Sequence, residues 1–282
     1  ARRRTSLMTT ATAPSSSFAA TIWENVRTII YALILAFGIR FWIAQPFRIP
    51  SSSMEPTLLV GDYIVVTKWS YGYSRFSFAP LERLLPAGRL FGNAPQRGDL
   101  VVFRPPARAD RDYIKRLIGM PGDTVRVSGG VLSIRPAGAD TFITIERTLR
   151  PDLITPTSSI GLAVQAYEET LPEGASYITF DTTPLGDLDN GEWSVPEGHY
   201  FMMGDNRDNS EDSRAPCERE PSRWNAEAPG PCIGPPPVGF VPADHLVGPA
   251  QFVFVSFDNS TTVAPWTWFT GFRADRFLKA VE

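Results

Sequence analysis

The sequence predicts a mainly β protein, two antiparallel β regions behind a single N-terminal transmembrane helix. Three observations predict it. An apolar run at 28–44 carries Arg40 as its one charge. From residue 62 onward, short runs rich in β-branched residues alternate with glycine, proline and Gly-Asp pairs, the pattern of strands and tight turns. A stretch at 124–198 has strand and turn signals of its own and splits that series in two. With 282 residues and 43% hydrophobic content, the chain is long enough for one large or two modest cores.

Charge separates the ends of the molecule. Net charge is −3, which argues against a nucleic-acid binder working through a broad basic surface. Residues 1–27 hold Arg2, Arg3, Arg4 and Arg27 against Glu24 alone, so this tail is net +3 and the remainder −6. The asymmetry puts the tail in the cytoplasm and everything after residue 44 on the far side of the bilayer. The run itself ends in Phe41-Trp42-Ile43-Ala44-Gln45-Pro46, without the paired small residues of a cleavage site, so it is expected to persist as an anchor. Two histidines and two cysteines, widely spaced, form no recognisable ligand set. No metal and no cofactor is expected.

Past the anchor, Ser51-Ser52-Ser53-Met54-Glu55 sits between Pro50 and Pro56 and ahead of a strand pattern at 62–68. Two prolines and a strand can hold a serine at a fixed angle, which a nucleophile needs. Taken alone, the stretch is also an ordinary polar turn. Nine residues separate Ala44 from Ser53, so at about 3.6 Å per residue this serine lies within roughly 32 Å of the membrane exit. Further strands are expected at 99–103 and 113–118, with an exposed loop at 84–93 between the 62–68 and 99–103 strands. The region 45–123 is thus the first part of a β core. The inserted region 124–198 offers strands at 124–127, 131–134 and 141–147 and a hairpin signal at Asn190-Gly191, with no cluster of catalytic residue types.

The second part of the core spans 199–258. A strand at 200–203 runs into 204–214, almost wholly polar or charged, a segment that can be buried only if its groups pair with one another. The proline-rich loop 215–238 carries Cys217 and Cys232. On the far side of a membrane they are expected to pair as a local staple worth about 3 kcal/mol. A strand at 251–257 follows, and 259–282 reads as an aromatic and then basic tail.

A serine hydroxyl needs a neighbour to take its proton. His199 and His245 sit in loop-like contexts and read as solvated, although the sequence alone excludes neither. Lys115 is the better candidate. The chain has only Lys68, Lys115 and Lys279 among its many arginines. On a strand Lys115 shares a face with Tyr113 and Leu117, where desolvation lowers an amine's pKa toward the range of a working base.

The blocks Pro50-Ser51-Ser52-Ser53-Met54-Glu55-Pro56-Thr57-Leu58, Gly61-Asp62, Arg97-Gly98-Asp99-Leu100-Val101-Val102-Phe103, Tyr113-Ile114-Lys115-Arg116, Pro121-Gly122-Asp123 and Gly204-Asp205-Asn206-Arg207-Asp208-Asn209-Ser210 closely resemble those of the bacterial type I signal peptidases, in the same order, over residues 28–257. The resemblance implies a membrane-bound serine endopeptidase. Its substrates would be exported preproteins, with small residues near the cleavage site, cut at the outer face of the inner membrane. It implies Ser53 as nucleophile, Lys115 as general base, and an oxyanion hole from the Ser51 side chain and the Ser53 backbone N–H. Ser210 would orient the lysine amine, with Asp212 and Arg214 in the polar network behind. It also implies one β region inserted into the other. Many members have glycine where this chain has Ser52, a change tolerated only if the backbone there is not left-handed.

Overall fold

The computed structural model describes residues 18–78, 82–153, 164–182, 190–216, 236–258 and 265–281. Cys217 and Cys232, and with them the expected pairing, lie outside the described residues.

Helix α1 (Phe18–Gly38) runs into a π-helical turn, Ile39–Ile43. Thr21–Ile43 is long and apolar enough to cross a membrane, with a mean hydropathy of 1.7 and none of its most apolar stretch buried against the protein. The helix starts ten residues ahead of the apolar run's expected start. Ile22, Trp23 and Val26 extend the apolar surface, and the Thr28 hydroxyl folds back onto the Glu24 carbonyl at 2.9 Å. It ends at Ala44, which is already extended, because Pro46 bars further helix. Residues 44–48 form β1 (Ala44–Arg48), so Ala44, the last residue of the expected anchor, opens the first strand of the core region.

The core is an antiparallel sheet that also contains β2 (Asp62–Thr67), β5 (Leu100–Phe103), β6 (Tyr113–Gly119), β14 (His199–Met203), β15 (Val241–Pro242) and β16 (Leu246–Ser256), in the order β1-β2-β16-β5-β6-β14-β15. A small pair, β3 (Tyr73–Ser74) with β4 (Arg89–Leu90), lies beside it. The central strand β5 is buried on both faces, whereas β1 at the edge is not. On β5, Leu100 and Val102 pack with Met54, Leu58 and Ile64, while Val101 and Phe103 pack with Leu117, Met202 and Val241. Gly61 opens β2 at φ +94, and a Cβ there would stand 1.9 Å from the Phe257 carbonyl oxygen, so only glycine fits this approach.

Between β6 and β14 the chain builds two further sheets. One has the order β13-β7-β8-β9, from β7 (Thr124–Ser128), β8 (Val131–Arg135), β9 (Ile143–Thr144) and β13 (Gly191–Ser194). The other contains β10 (Glu146–Leu149), β11 (Val164–Thr170) and β12 (Ser176–Thr182). Ile145, buried between β9 and β10, is where the strand expected at 141–147 divides between the sheets. Asn190-Gly191 is not a hairpin turn between neighbours. Gly191 begins β13, which pairs with β7, and the Asn190 side chain accepts the Gly129 N–H at 2.8 Å. These sheets join the core through Ile118, Phe201 and Met203, which pack with Val125, Ile134, Leu171 and Tyr177.

The end of the chain is no loose tail. After α2 (Pro265–Gly271), β17 (Lys279–Ala280) pairs with β16, and Arg276 is buried on the Asp62 carboxylate at 2.5 Å. Asp62, fully buried itself, supplies the partner that the local sequence around Arg276 did not disclose.

Candidate active site

Three segments meet at the centre of the core sheet. The turn 51–58 is nailed down by Met54 and Leu58, both 0% exposed, and closed by Glu55 N–H to Ser52 O and Leu58 N–H to Met54 O. Strand β6 brings Lys115 beneath it, paired in register with Val101 of β5. The loop after β14 comes over from the other side. Asn206 donates its backbone N–H to Ser53 O at 3.2 Å and its amide to Ser52 O at 3.1 Å, and Asn209 donates to the Ser52 hydroxyl at 2.7 Å. Ser52 does not have positive φ: among the described non-glycine residues only Phe91 and Leu278 do.

Lys115 Nζ donates to Ser53 Oγ at 2.5 Å. Ser53 is 8% exposed and Lys115 3%. Burial lowers the lysine pKa to about 8. Asp212, Asp205 and Glu211 pull it back up, and Arg214 pushes it down. The Tyr113 ring lies 5.9 Å from Nζ, so the expected placement of the lysine beside an aromatic holds. The Ser51 hydroxyl lies 3.5 Å from Ser53 Oγ.

The polar loop is paired, not solvated. Asp212 accepts the Gly204 N–H at 2.9 Å and is gripped by Arg214 through Nε at 3.0 Å and Nη2 at 2.8 Å. Burial presses the Asp212 carboxyl up, but the Arg214 charge and these hydrogen bonds outweigh it and hold the group below its ordinary range. Ser210 Oγ is buried close by without a hydrogen bond of its own, so the structure brings it to the site but not onto the lysine amine. A Cβ on Gly204 would stand 2.1 Å from Ser210 Oγ and 2.6 Å from Ser53 O. Gly204→Ala is therefore expected to displace both serines and cut any hydrolysis at Ser53 about 100-fold, read as kcat. An unchanged kcat would show that the loop yields without moving the site.

Neither histidine joins this group. His199 Nδ1 pairs with Glu197 O at 2.9 Å, and His245 Nδ1 with Arg104 O at 2.8 Å, its ring against Phe76. His245 is half-buried, contrary to the solvated reading, because the loop that carries it folds onto β5.

Sequence reasoning passed over Asp205 and Arg116 as individuals. They form a two-pronged ion pair, Nε to Oδ1 and Nη2 to Oδ2 at 2.8 Å each, with the Thr57 hydroxyl on the same carboxylate at 2.5 Å. The available signal was the charge density directly after an apolar strand, which shows that partners exist but not which.

The model of the family described as "Signal peptidase, peptidase S26" matches residues 22–255. The signal peptidase I of Rickettsia typhi (strain ATCC VR-144 / Wilmington) is 36% identical over 244 residues, covering 84% of this chain and 81% of that protein. That of Rickettsia conorii (strain ATCC VR-613 / Malish 7) is 38% identical over 234 residues, covering 80% and 77%. A match of this reach, on a chain whose serine turn, lysine strand and polar loop converge, places it: the protein belongs to the signal peptidase family, peptidase S26, and is a hydrolase of that family.

Proposed function

We propose that this chain removes signal peptides from exported preproteins through a Ser53–Lys115 dyad. The observation that carries the reading is the 2.5 Å contact between a serine hydroxyl and a lysine amine that is 3% exposed. With the amine neutral, its lone pair takes the Ser53 proton as Oγ attacks the scissile carbonyl. The carbonyl oxygen's developing charge would be met by the Ser51 hydroxyl and the Ser53 N–H. The protonated lysine then gives its proton to the departing amine, which leaves an acyl-enzyme on Ser53. Water, deprotonated by the same lysine, attacks the ester and frees the carboxylate and the serine. Ser210, whose buried hydroxyl has no hydrogen bond among the described residues, would orient the amine by turning toward it. Asp212 and Arg214 fix the field behind it. A nucleophile that is 8% exposed suits a peptide with small side chains beside the scissile bond, the substrate class this reading takes.

The helix over Thr21–Ile43 would hold the enzyme in the bacterial inner membrane with the arginine-bearing N-terminus in the cytoplasm and the β domain outside, where exported signal peptides emerge.

The test is cleavage of a preprotein by the detergent-solubilised chain. Below a pH of about 8 the lysine is protonated and cannot accept a proton, so kcat/KM is expected to fall tenfold per pH unit on that limb and to level off above it. Ser53→Ala is expected to leave the preprotein intact at every pH. Serine-independent cleavage, or a flat profile from pH 6 to 9, would overturn the assignment.

A further inference from the structure

We infer that Glu169, on β11 of the inserted three-stranded sheet, is a positioning residue for the site, acting through Arg207 and the loop that carries Asp205, Asn206 and Asp212. The inference rests on the Ser53–Lys115 reading above. Glu169 is 0% exposed, an unusual place for a carboxylate unless something holds it there. Its Oε2 accepts from Arg207 Nη2 at 2.5 Å and from the Tyr177 hydroxyl at 3.0 Å, and the Arg147 guanidinium stands 3.9 Å from Oε1.

What makes this clamp more than a core ion pair is where Arg207 sits. Its carbonyl oxygen accepts from Arg214 Nη2 at 2.7 Å, and Arg214 in turn grips Asp212, which holds the Gly204 N–H. Gly204 is packed against the Ser53 carbonyl. The same sheet ties the loop a second time. On β12, Phe180 N–H reaches Asp205 O at 2.9 Å and Thr182 N–H reaches the Asp208 carboxylate at 2.6 Å. The Tyr177 ring also lies 4.0 Å from the Arg116 guanidinium, next to Lys115 in the chain. The inserted sheet therefore holds the loop by its backbone at one edge and by a buried charge at its centre. Without the Glu169 charge, Arg207 is left buried and positive beside Asp205, where it competes with Arg116 and slackens the carbonyl that seats Arg214.

The experiment compares wild type, Glu169→Gln, the neutral pair Glu169→Gln/Arg207→Gln, and Lys115→Met in one preprotein cleavage assay, with thermal melting of each. Glu169→Gln is expected to lower kcat about 10- to 100-fold with KM little changed. It should also move the acid limb of kcat/KM to higher pH, because a displaced Arg214 no longer offsets Asp212 at the lysine. The neutral pair removes the buried unpaired charge, so it is expected to regain thermal stability while kcat stays low. A purely structural glutamate would show a lower melting temperature with wild-type kcat and acid limb, or full recovery of kcat in the neutral pair, and either result overturns the inference. If Lys115→Met cleaves normally, the dyad reading itself fails. If it is inactive while Glu169→Gln is fully active, only the positioning role does.

Discussion

Lys115→Arg is expected to abolish preprotein cleavage as completely as Lys115→Met, with kcat/KM down about 10⁴-fold or more for each. A conservative reading would treat arginine as a tolerable substitute, since both residues are cations of similar reach. The site asks for the opposite property. In the proposed dyad Lys115 serves only when uncharged, and its burial brings its pKa down to about 8, within reach of working pH. A guanidinium is never neutral in water, and no burial of this size makes it so. Charge is thus retained at the one point where a lone pair is needed. Turnover by the arginine variant near the wild-type rate would remove Lys115 from the role.

The same argument predicts an opposite sign for stability in Lys115→Met. The folded-state pKa, about 8, lies below the ordinary 10.5. Between those values the unfolded chain binds the proton and the folded protein does not. The penalty is therefore absent above about pH 10.5, grows as pH falls toward 8, and is constant below. Removing the amine should recover up to about 3 kcal/mol of it at pH 7, less what the lost contact with Ser53 supplied. An inactive variant that melts higher than wild type is the expected pairing.

How far the sequence disclosed this follows from which interactions are local. The serine turn was legible because two prolines, Met54 and Leu58 act within a few positions of Ser53. Lys115 was legible because alternation along β6 puts Tyr113 and Leu117 on its face. The charged loop after β14 announced itself as a network by composition, but its wiring did not. Asp205 meets Arg116 across 89 positions and Glu169 meets Arg207 across 38, and no pattern within either segment names the partner. The strands β11 and β12 were missed for a related reason. For β11, Val164–Thr170 carries Glu168 and Glu169 in its second half, which suppresses a strand signal until the buried arginine is known to be there, and among the described residues β12 pairs only with that strand and, through Phe180, with Asn206. The C-terminal segment was read as a tail because its anchor, Asp62, lies 214 residues earlier.

Asp205→Ala is expected to destabilise the fold by about 3 to 5 kcal/mol, read by chemical denaturation, whereas Glu192→Ala should change it by no more than about 1 kcal/mol. Both remove the acid from an arginine ion pair, at similar distances, and burial decides between them. Arg126 and Glu192 are each 45% exposed, so water replaces a lost partner. Arg116 and Asp205 are each 1% exposed. Truncating Asp205 takes the two-pronged carboxylate away from a buried guanidinium, whose contacts with the Gly98 carbonyl, the Thr57 hydroxyl and the Tyr177 ring face carry no full negative charge, and takes the acceptor away from the Thr57 hydroxyl. A neutral replacement of both, Arg116→Met/Asp205→Leu, removes the unpaired charge and should restore most of the stability, since buried pairs give little net stabilisation over well-packed apolar groups. It should not restore cleavage. Asp205 lies between Gly204, packed on the Ser53 carbonyl, and Asn206, bonded to it, so the pair's contribution is to fix that stretch against the serine turn. A stable and fully active double variant would show that the backbone bond from Phe180 to Asp205 holds the loop unaided.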